Sequence, residues 1–314
     1  MKLIYIICFF VITQNSFGQF VGTPYLIQNP AVAPDPPTMG KAKWGDAEAS
    51  IAFIAPTNNG GGAISSYTVT SNPGGITATG TGSPIIITGL TNGTSYTFTV
   101  TSTNSAGTST ASTASTSVTP RQIQTITSLT TKVWMDRNLG AEQVATSKTD
   151  ALAFGDLYQW GRDEDGHQIR TSQKISTPSP TDQPEHGYFI YNSNDWLSLP
   201  NNNLWNGVDA VNNPCPCRYR LPTRAEWDKE NSKNGVYNDN TAFTKLKLTL
   251  AGTRRNTDGA VMNSGEFGIY ATSEPYGEST IILQTGPGYS TGASSNPSTK
   301  YRAQGLSVRC IKND

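Results

Sequence analysis

Short segments that alternate apolar with small polar residues, each followed by a turn sequence, dominate the first half of the chain. The clearest of them places Tyr96, Phe98 and Val100 between threonines. Glycine- and asparagine-rich turn sequences separate the segments, at residues 58–62, 72–75 and 91–94. Period-two alternation is typical of half-buried strands, and strands at this spacing are typical of a sandwich. Residues 34–120 are therefore predicted to form an all-β sandwich.

Two stretches of this region resemble the fibronectin type III domain. They are Gly89-Leu-Thr-Asn-Gly-Thr-Ser-Tyr-Thr-Phe-Thr-Val100 and Thr103-Asn-Ser-Ala-Gly107. The resemblance implies an immunoglobulin-like fold in which Tyr96 is the corner tyrosine, with its hydroxyl bonded to backbone and its ring in the core. We expect Trp44 to pack on the edge of the sandwich. Such domains usually act as spacers or adhesive units, so the resemblance implies no catalytic residue.

The ends of this region differ from it in composition. Residues 1–19 have Lys2 followed by an apolar run to Thr13, which predicts a secretory signal peptide. Residues 20–33 have no periodic pattern and contain two prolines, so they are predicted to be a linker. The Ser/Thr-rich run 108–119 is predicted to be flexible or extended and to separate the sandwich from a second domain at 121–314.

A helix start is encoded in the second domain. Thr223 precedes Glu226 by three residues, the spacing of a capping box in which two amides at a helix start are satisfied. The helix is predicted to begin at Arg224, to end near Lys233 and to bury Trp227. A strand is predicted at 245–250, where three leucines alternate with polar residues, and another at 305–312.

The second domain resembles the Fibrobacter succinogenes major paralogous domain of bacterial surface proteins. The resemblance is carried by the following stretches: Val133-Trp-Met-Asp-Arg-Asn-Leu139, Phe154-Gly-Asp-Leu-Tyr-Gln-Trp-Gly-Arg162, Cys215-Pro-Cys-Arg-Tyr-Arg-Leu-Pro-Thr223 and Ser307-Val-Arg-Cys-Ile-Lys312. It implies an irregular α+β fold similar to C-type lectin-like and formylglycine-generating-enzyme domains. The chain is thus predicted to be a multidomain protein with a β-sandwich followed by an irregular α+β domain.

The resemblance also implies a disulfide bond between Cys215 and Cys310. Closing a loop of about 95 residues would stabilise the fold by roughly 4–5 kcal/mol in the chain-entropy description. Cys217 is expected to be free or to compete for the same partner, since a bridge within Cys215-Pro-Cys217 is unfavourable. A metal site on the two nearby cysteines would need further ligands, so no metal is predicted there.

Two groups of side chains are candidates for ligand binding. Trp196, Trp205 and Tyr191 could stack on a sugar face, although aromatic residues in such a domain are more often core residues. Asp163 and Asp165 lie in a glycine-bearing turn that resembles half of a calcium loop, and the alternative is a solvated polar loop. We expect no cofactor, with calcium as the one weak candidate.

The formal net charge of the chain is zero, so no basic surface favours nucleic acid. No apolar run is long enough to span a membrane, so none is expected in the mature chain. We predict a secreted or cell-surface, non-enzymatic binding protein whose fibronectin-like spacer presents a lectin-like domain to an extracellular polysaccharide or protein. The alternatives are an extracellular enzyme related to formylglycine-generating-enzyme domains and a purely structural surface component.

Overall fold

The computed structural model describes residues 30–236, 238–287 and 298–313 of the chain. The predicted signal peptide at 1–19 and most of the predicted linker at 20–33 lie outside these residues. The described residues form two β-rich units that contact each other directly. Each unit is built around its own core, and the contact between them positions the candidate site.

The N-terminal unit is a sandwich of two antiparallel sheets. Its strands are β1 (Thr38–Trp44), β2 (Glu48–Ile54), β3 (Ser66–Asn72), β4 (Thr77–Gly80), β5 (Ile85–Thr88), β6 (Thr97–Asn104) and β7 (Gly107–Thr108). One sheet has the order β1-β2-β5 and the other β4-β3-β6-β7. Alternate side chains of each strand turn inward, so β2 buries Ile51 and Phe53 while Ser50 and Ala52 face outward.

Tyr96 closes one corner of this sandwich. Its ring lies in the core with Phe98 and Val100, and its hydroxyl accepts a hydrogen bond from the backbone N–H of Thr91 at 3.1 Å. The predicted role of Tyr96 as a corner tyrosine is therefore confirmed.

The Ser/Thr-rich run 108–119 is extended and packs on β6. The backbone N–H groups of Ser112 and Ser115 donate to the carbonyls of Val100 and Phe98, both at 2.9 Å. In return, the hydroxyls of Ser112 and Ser115 accept from the N–H groups of the same two residues at 3.0 Å. The serines recur every three residues and replace a regular ladder, so this run belongs to the sandwich and does not act as a flexible separator.

The C-terminal unit is irregular and contains four small sheets. Its strands are β8 (Thr125–Thr127), β9 (Val133–Met135), β10 (Tyr158–Gln159), β11 (Lys174–Ile175), β12 (Phe189–Ile190), β13 (Tyr219–Arg220), β14 (Thr253–Arg254), β15 (Val261–Met262), β16 (Gly268–Tyr276), β17 (Ser279–Thr285), β18 (Thr299–Tyr301), β19 (Gly305–Leu306) and β20 (Ile311–Lys312). Its helices are α1 (Arg224–Asn234) and α2 (Asp239–Leu246), with a short 3-10 turn at Ala151–Ala153. The sheet orders are β10-β19-β14-β15, β11-β12, β13-β20-β9-β8 and β16-β17-β18.

Helix α1 begins where the capping box predicts. The Thr223 side chain accepts from the N–H of Glu226, and the Glu226 carboxylate accepts from the N–H of Thr223. The helix ends before Gly235, which adopts the left-handed conformation with φ of 67°. Trp227 is buried and stacks on Trp134, with ring centroids 4.6 Å apart. This part of the prediction is confirmed.

The predicted strand at 245–250 is wrong. Leu246 is the last residue of α2, and Lys247 then takes the left-handed conformation, which breaks any strand at this point. Leu246, Leu248 and Leu250 are nevertheless all buried. The alternation correctly predicts that the three leucine side chains face the core, but Leu246 faces it from helix α2 and not from a strand.

Four fully buried arginines hydrogen-bond to the irregular segments of the C-terminal unit. They are Arg162, Arg254, Arg302 and Arg309. Arg309 donates to the carbonyls of Met135, Leu246 and Lys247 at 2.8–2.9 Å, and to the amide oxygen of Asn138. Short strands leave many carbonyls without ladder partners, and the guanidinium group, with its five N–H donors, satisfies several at once.

Neither helix among the described residues combines the length and the apolar character needed to cross a lipid bilayer.

Candidate functional site

The predicted disulfide between Cys215 and Cys310 is present, with a Cα–Cα distance of 5.8 Å. It joins the segment before β13 to the segment before β20, and these two strands pair through Arg220 and Ile311. The bond therefore ties the final strand of the chain to the middle of the C-terminal unit. Of the described cysteines, Cys217 is free and buried.

Two of the three predicted sugar-stacking rings are not at the surface. Trp196 and Trp205 are both 0% exposed and pack in the main core of the C-terminal unit. The indole N–H of Trp196 donates to the carbonyl of Trp160 at 2.7 Å, which fixes the ring inside. Tyr191 is half-buried beneath the ammonium of Lys174, 5.8 Å from its ring centroid. The predicted platform of three aromatic residues is therefore wrong, because the rings fill the interior of a domain with few other large side chains.

The two aspartates of the predicted calcium turn have protein partners instead. Asp163 forms an ion pair with Lys41 of the sandwich. Asp165 accepts from Arg162 Nε at 2.7 Å and lies 2.6 Å from His167 Nδ1. In the part of the chain that the structure describes, no group of three or more metal-ligating side chains comes together. The turn is thus held by cationic side chains.

His167 is a structural residue in this turn. Its Nε2 atom accepts from the backbone N–H of Gln159 at 3.1 Å, and its ring is fully buried. Burial lowers the pKa of His167 to about 4 against the opposing hydrogen bond to Asp165. Burial also acts to raise the pKa of Asp165, but its bond to His167 and the charges of His167 and Arg162 outweigh this and lower it. At neutral pH the pair is therefore a neutral imidazole held by a carboxylate.

The contact between the two units is centred on Trp44, at the end of β1. The half-buried indole packs against the cores of both units, and the guanidinium group of Arg121 lies 5.1 Å from its ring centroid. The carbonyl of Trp44 accepts from the N–H of Cys217 at 2.7 Å. The residue expected on the sandwich edge therefore also anchors the second unit.

Several polar contacts surround this anchor. The guanidinium of Arg218 forms an ion pair with Glu48 at 2.8 Å. The N–H of Ile123 donates to the Asp46 carboxylate at 3.2 Å. A Cβ atom at Gly45 would lie 3.1 Å from the Cβ of Cys217, so the glycine allows this close approach. The contacts join β2 and the turn between β1 and β2 to Ile123 and to the segment around the free cysteine.

A cleft lies beside these contacts, between the outward face of the sheet β1-β2-β5 and the segment 208–212 of the C-terminal unit. It comprises two adjoining cavities of about 430 and 520 Å³. Both are lined by Lys43, Ser50, Pro84 and Asp209. Volumes in this range are typical of sites for small ligands. The cleft is therefore a candidate site.

Lys43 is the unusual residue of the cleft. Its Nζ atom is shielded from solvent and has no hydrogen-bond partner. Burial, with the charge of Lys41, lowers the pKa of Lys43 to about 8, while Asp209 and Cys217 act in the opposite direction. The lysine is thus mainly charged at neutral pH without a bonded counterion.

The sequence could not identify this cleft as a site. Lys41 and Lys43 alternate with a buried alanine, which indicates that both face outward. What covers that face comes from residues far away in the sequence, and no local pattern encodes the pairing. Cys217 was singled out for its thiol, yet burial raises the pKa of that thiol to about 12, with Glu48 contributing. The thiol therefore stays protonated, and its residue matters here as part of the wall.

Comparison with known families gives one assignment. The model of the fibronectin type III domain matches residues 35–118, which confirms the resemblance predicted for this region. A search of curated proteins finds no match.

Solved structures similar to this chain include the following three. Domains A168–A170 of titin are 22% identical over 29% of this chain and 34% of that one, with a TM-score of 0.26. A fourth fibronectin type III domain from human is 18% identical over 34% of this chain and 92% of that one, with a TM-score of 0.25. A β-1,2-glucanase from Parabacteroides distasonis is 18% identical over 33% of this chain and 15% of that one, with a TM-score of 0.23. The chain spans about a third of the titin fragment that it matches.

Proposed function

We propose that this chain, whose residues 35–118 form a fibronectin type III domain, is a secreted or cell-surface binding protein without enzymatic activity. Its ligand would be an extracellular polysaccharide or protein. The C-terminal unit would be a domain related to the Fibrobacter succinogenes major paralogous domain, with a lectin-like fold. The presence of a disulfide at the position this relationship implies supports the assignment.

The compartment follows from chemistry as well as from the domain type. Disulfide bonds persist in oxidising surroundings and are rare where thiols are kept reduced. The bond between Cys215 and Cys310 closes a separation of 95 residues in a unit with short strands. Together with the fibronectin type III domain, it favours a protein that works outside the cytosol.

The contact between the units carries the proposal. A spacer would meet its neighbour at a flexible linker, whereas here Trp44 packs against the cores of both units and its carbonyl accepts from the N–H of Cys217. The sandwich therefore forms part of the binding surface, and the ligand site would lie in the cleft between the units. This replaces the aromatic platform, because Trp196 and Trp205 are buried.

Two side chains that could support catalysis, those of His167 and Cys217, lie in environments that suit a structural role. His167 is buried with a pKa of about 4, and Cys217 is buried with a pKa of about 12. A nucleophile needs a neighbouring base or a lowered pKa, and the environment of this cysteine provides the opposite. These properties favour binding over the enzyme alternative.

The test is an array of glycans and matrix proteins probed with the full chain lacking its predicted leader. We expect saturable binding to one ligand class, and weaker binding by the Trp44→Ala variant, because that variant loosens the walls of the cleft. The array is repeated with calcium and with a chelator. Binding that requires calcium would place the ligand at the Asp163 turn instead of the cleft.

A matched control separates the interface from general stability. Trp134 lies in the other core of the C-terminal unit, away from Trp44, so Trp134→Phe perturbs packing without touching the contact. If the native chain binds no glycan or protein better than its unfolded form does, the proposed function is rejected. If the native chain and Trp44→Ala bind the ligand equally well, the cleft is not the binding site.

A further inference from the structure

The lining of the cleft between the units is predominantly cationic. It includes the cationic side chains of Lys41, Lys43, Arg218 and Lys312, and one carboxylate, that of Asp209. Two of these cations are already neutralised, since Lys41 pairs with Asp163 and Arg218 with Glu48. The cleft retains positive charge, because neither Lys43 nor Lys312 forms such a pair among the described residues. Lys312 is exposed, whereas the Nζ atom of Lys43 is shielded from solvent.

The isolation of Lys43 needs an explanation. A buried ammonium group without a hydrogen-bond partner is unfavourable, and such groups in native proteins usually have a structural partner or a role. The charged or titratable groups that face Lys43 are Lys41, Asp209 and Cys217. Of these only Asp209 brings negative charge, and it forms no ion pair with Lys43. Because its stem is flexible, the ammonium can turn toward a ligand in the cavity that the side chain lines.

Neutral polar groups lie on the same face. Ser50 is the partner of Lys43 across β1 and β2, and it lines both cavities. The hydroxyl of Ser83 accepts from the N–H of Phe53 at 2.9 Å, which leaves its own O–H free to donate. Pro84 and Val211 add small apolar surfaces. The lining thus offers one shielded positive charge next to hydroxyl groups and limited apolar contact.

We propose that the cleft binds an acidic sugar residue, in which a single carboxylate pairs with Lys43 and the sugar hydroxyls contact Ser50 and Ser83. One shielded ammonium without a hydrogen-bond partner matches one negative charge. The combined cavity volumes accommodate a monosaccharide or disaccharide unit. This inference rests on the proposed function, because it specifies the ligand class of the same cleft.

The experiment is calorimetric titration of the full chain with D-glucuronate, D-glucose and acetate at one ionic strength. We expect glucuronate to bind at least about tenfold more tightly than either of the others. Lys43→Met should weaken glucuronate binding about tenfold or more, as expected for loss of a hydrogen bond to a charged group. Lys43→Arg keeps the positive charge and should therefore bind glucuronate more tightly than Lys43→Met, although less tightly than the native chain. Lys229→Met, on the exposed side of α1, is the matched control and should bind as the native chain does.

Measuring proton uptake on binding distinguishes direct pairing of the ligand carboxylate with Lys43 from an effect of the substitution on the shape of the cleft. A bound carboxylate favours the ammonium form, so binding at pH 8 should take up protons. The measured enthalpy would then vary with the ionisation enthalpy of the buffer, and this variation should vanish in Lys43→Met.

Three outcomes would overturn the inference. They are equal affinity for glucose, equal affinity for acetate, and unchanged glucuronate binding in Lys43→Met. Each leaves the proposed function standing if the array still shows a ligand. If no ligand binds on the array and glucuronate does not bind either, both the proposed function and this inference are rejected.

Discussion

Replacing Lys43 by methionine should stabilise the protein. The ammonium of Lys43 is shielded from solvent and has no hydrogen-bond partner, whereas a methionine side chain of similar length has no charge to desolvate. Removing an uncompensated buried charge is favourable when the replacement fills the same space. The substitution therefore separates the contribution of Lys43 to folding from its proposed contribution to binding.

The magnitude follows from the pKa of Lys43, which burial lowers from 10.5 to about 8. At about 1.4 kcal/mol per pKa unit, this corresponds to roughly 3 kcal/mol against the charged form. The side chain is only half-buried, so solvent screens part of this effect. We expect Lys43→Met to raise the free energy of unfolding at pH 7 by about 1–3 kcal/mol.

The pH dependence has a defined sign. Between about pH 8 and pH 10.5 the unfolded chain keeps the proton of Lys43 while the folded chain loses it. Native stability therefore rises with pH across this window, and the variant lacks that rise. The advantage of Lys43→Met should shrink toward zero as the pH approaches 10.5.

The assay is urea unfolding followed by tryptophan fluorescence at pH 7 and pH 10. Both chains carry Cys217→Ala, because an unfolded thiol attacks disulfides in alkaline solution. Lys229→Met is the surface control, with an expected change within about 0.5 kcal/mol at either pH. A destabilised Lys43→Met variant, or a difference that is the same at both pH values, would refute the reasoning.

Four further predictions concern the scaffold. Replacing both Cys215 and Cys310 by alanine should lower the free energy of unfolding by about 4–5 kcal/mol, measured against the native chain by urea unfolding. Arg309→Met leaves several buried carbonyls without donors and should lower the free energy of unfolding by about 3–5 kcal/mol. In the same assay, the stability of Arg309→Lys should lie between that of Arg309→Met and that of the native chain. Trp44→Ala should lower the free energy of unfolding by about 2–4 kcal/mol and split one calorimetric unfolding transition into two. A single transition in this variant would show that the contact at Trp44 does not couple the unfolding of the two units. The pKa of His167 is about 4 in the folded chain and 6.5 in the unfolded chain, so the unfolded chain takes up the proton first as the pH falls. The free energy of unfolding should therefore decrease as the pH drops from 6.5 to 4. His167→Gln should make this decrease smaller.

Features set by neighbouring residues could be predicted from the sequence. The capping box of Thr223 and Glu226 is complete within four positions, and it sets the start of α1. Tyr96 bonds to a backbone group only five residues away. The disulfide between Cys215 and Cys310 spans 95 residues and came from family resemblance, since no periodicity links the two positions.

Burial by distant segments could not be predicted. Trp196 carries no local sign that its ring would be enclosed, because the residues that enclose it come from several segments far apart in the chain. Leu248 follows a period-two pattern, yet the segment contains the end of α2 and no strand, because a left-handed residue interrupts it. Ser112 and Ser115 recur at a period of three, which matches neither strand nor helix, so their pairing with β6 gave no recognisable signal.

Hydrogen bonds fix the backbone on both sides of the cleft that Lys43 lines. Asn212 donates to the carbonyls of Gly161 and Asp182, at 2.9 and 2.7 Å, and the adjacent Asn213 donates to two more carbonyls at 2.9 Å. These buried amides hold the backbone of the segment that carries Asp209. On the other side, Lys43 belongs to a strand whose register is fixed by pairing with β2. The backbones that carry Lys43 and Asp209 are thus both held in place, while no ion pair joins the two side chains. This is the arrangement expected of a preorganised site whose stabilising partner is a ligand.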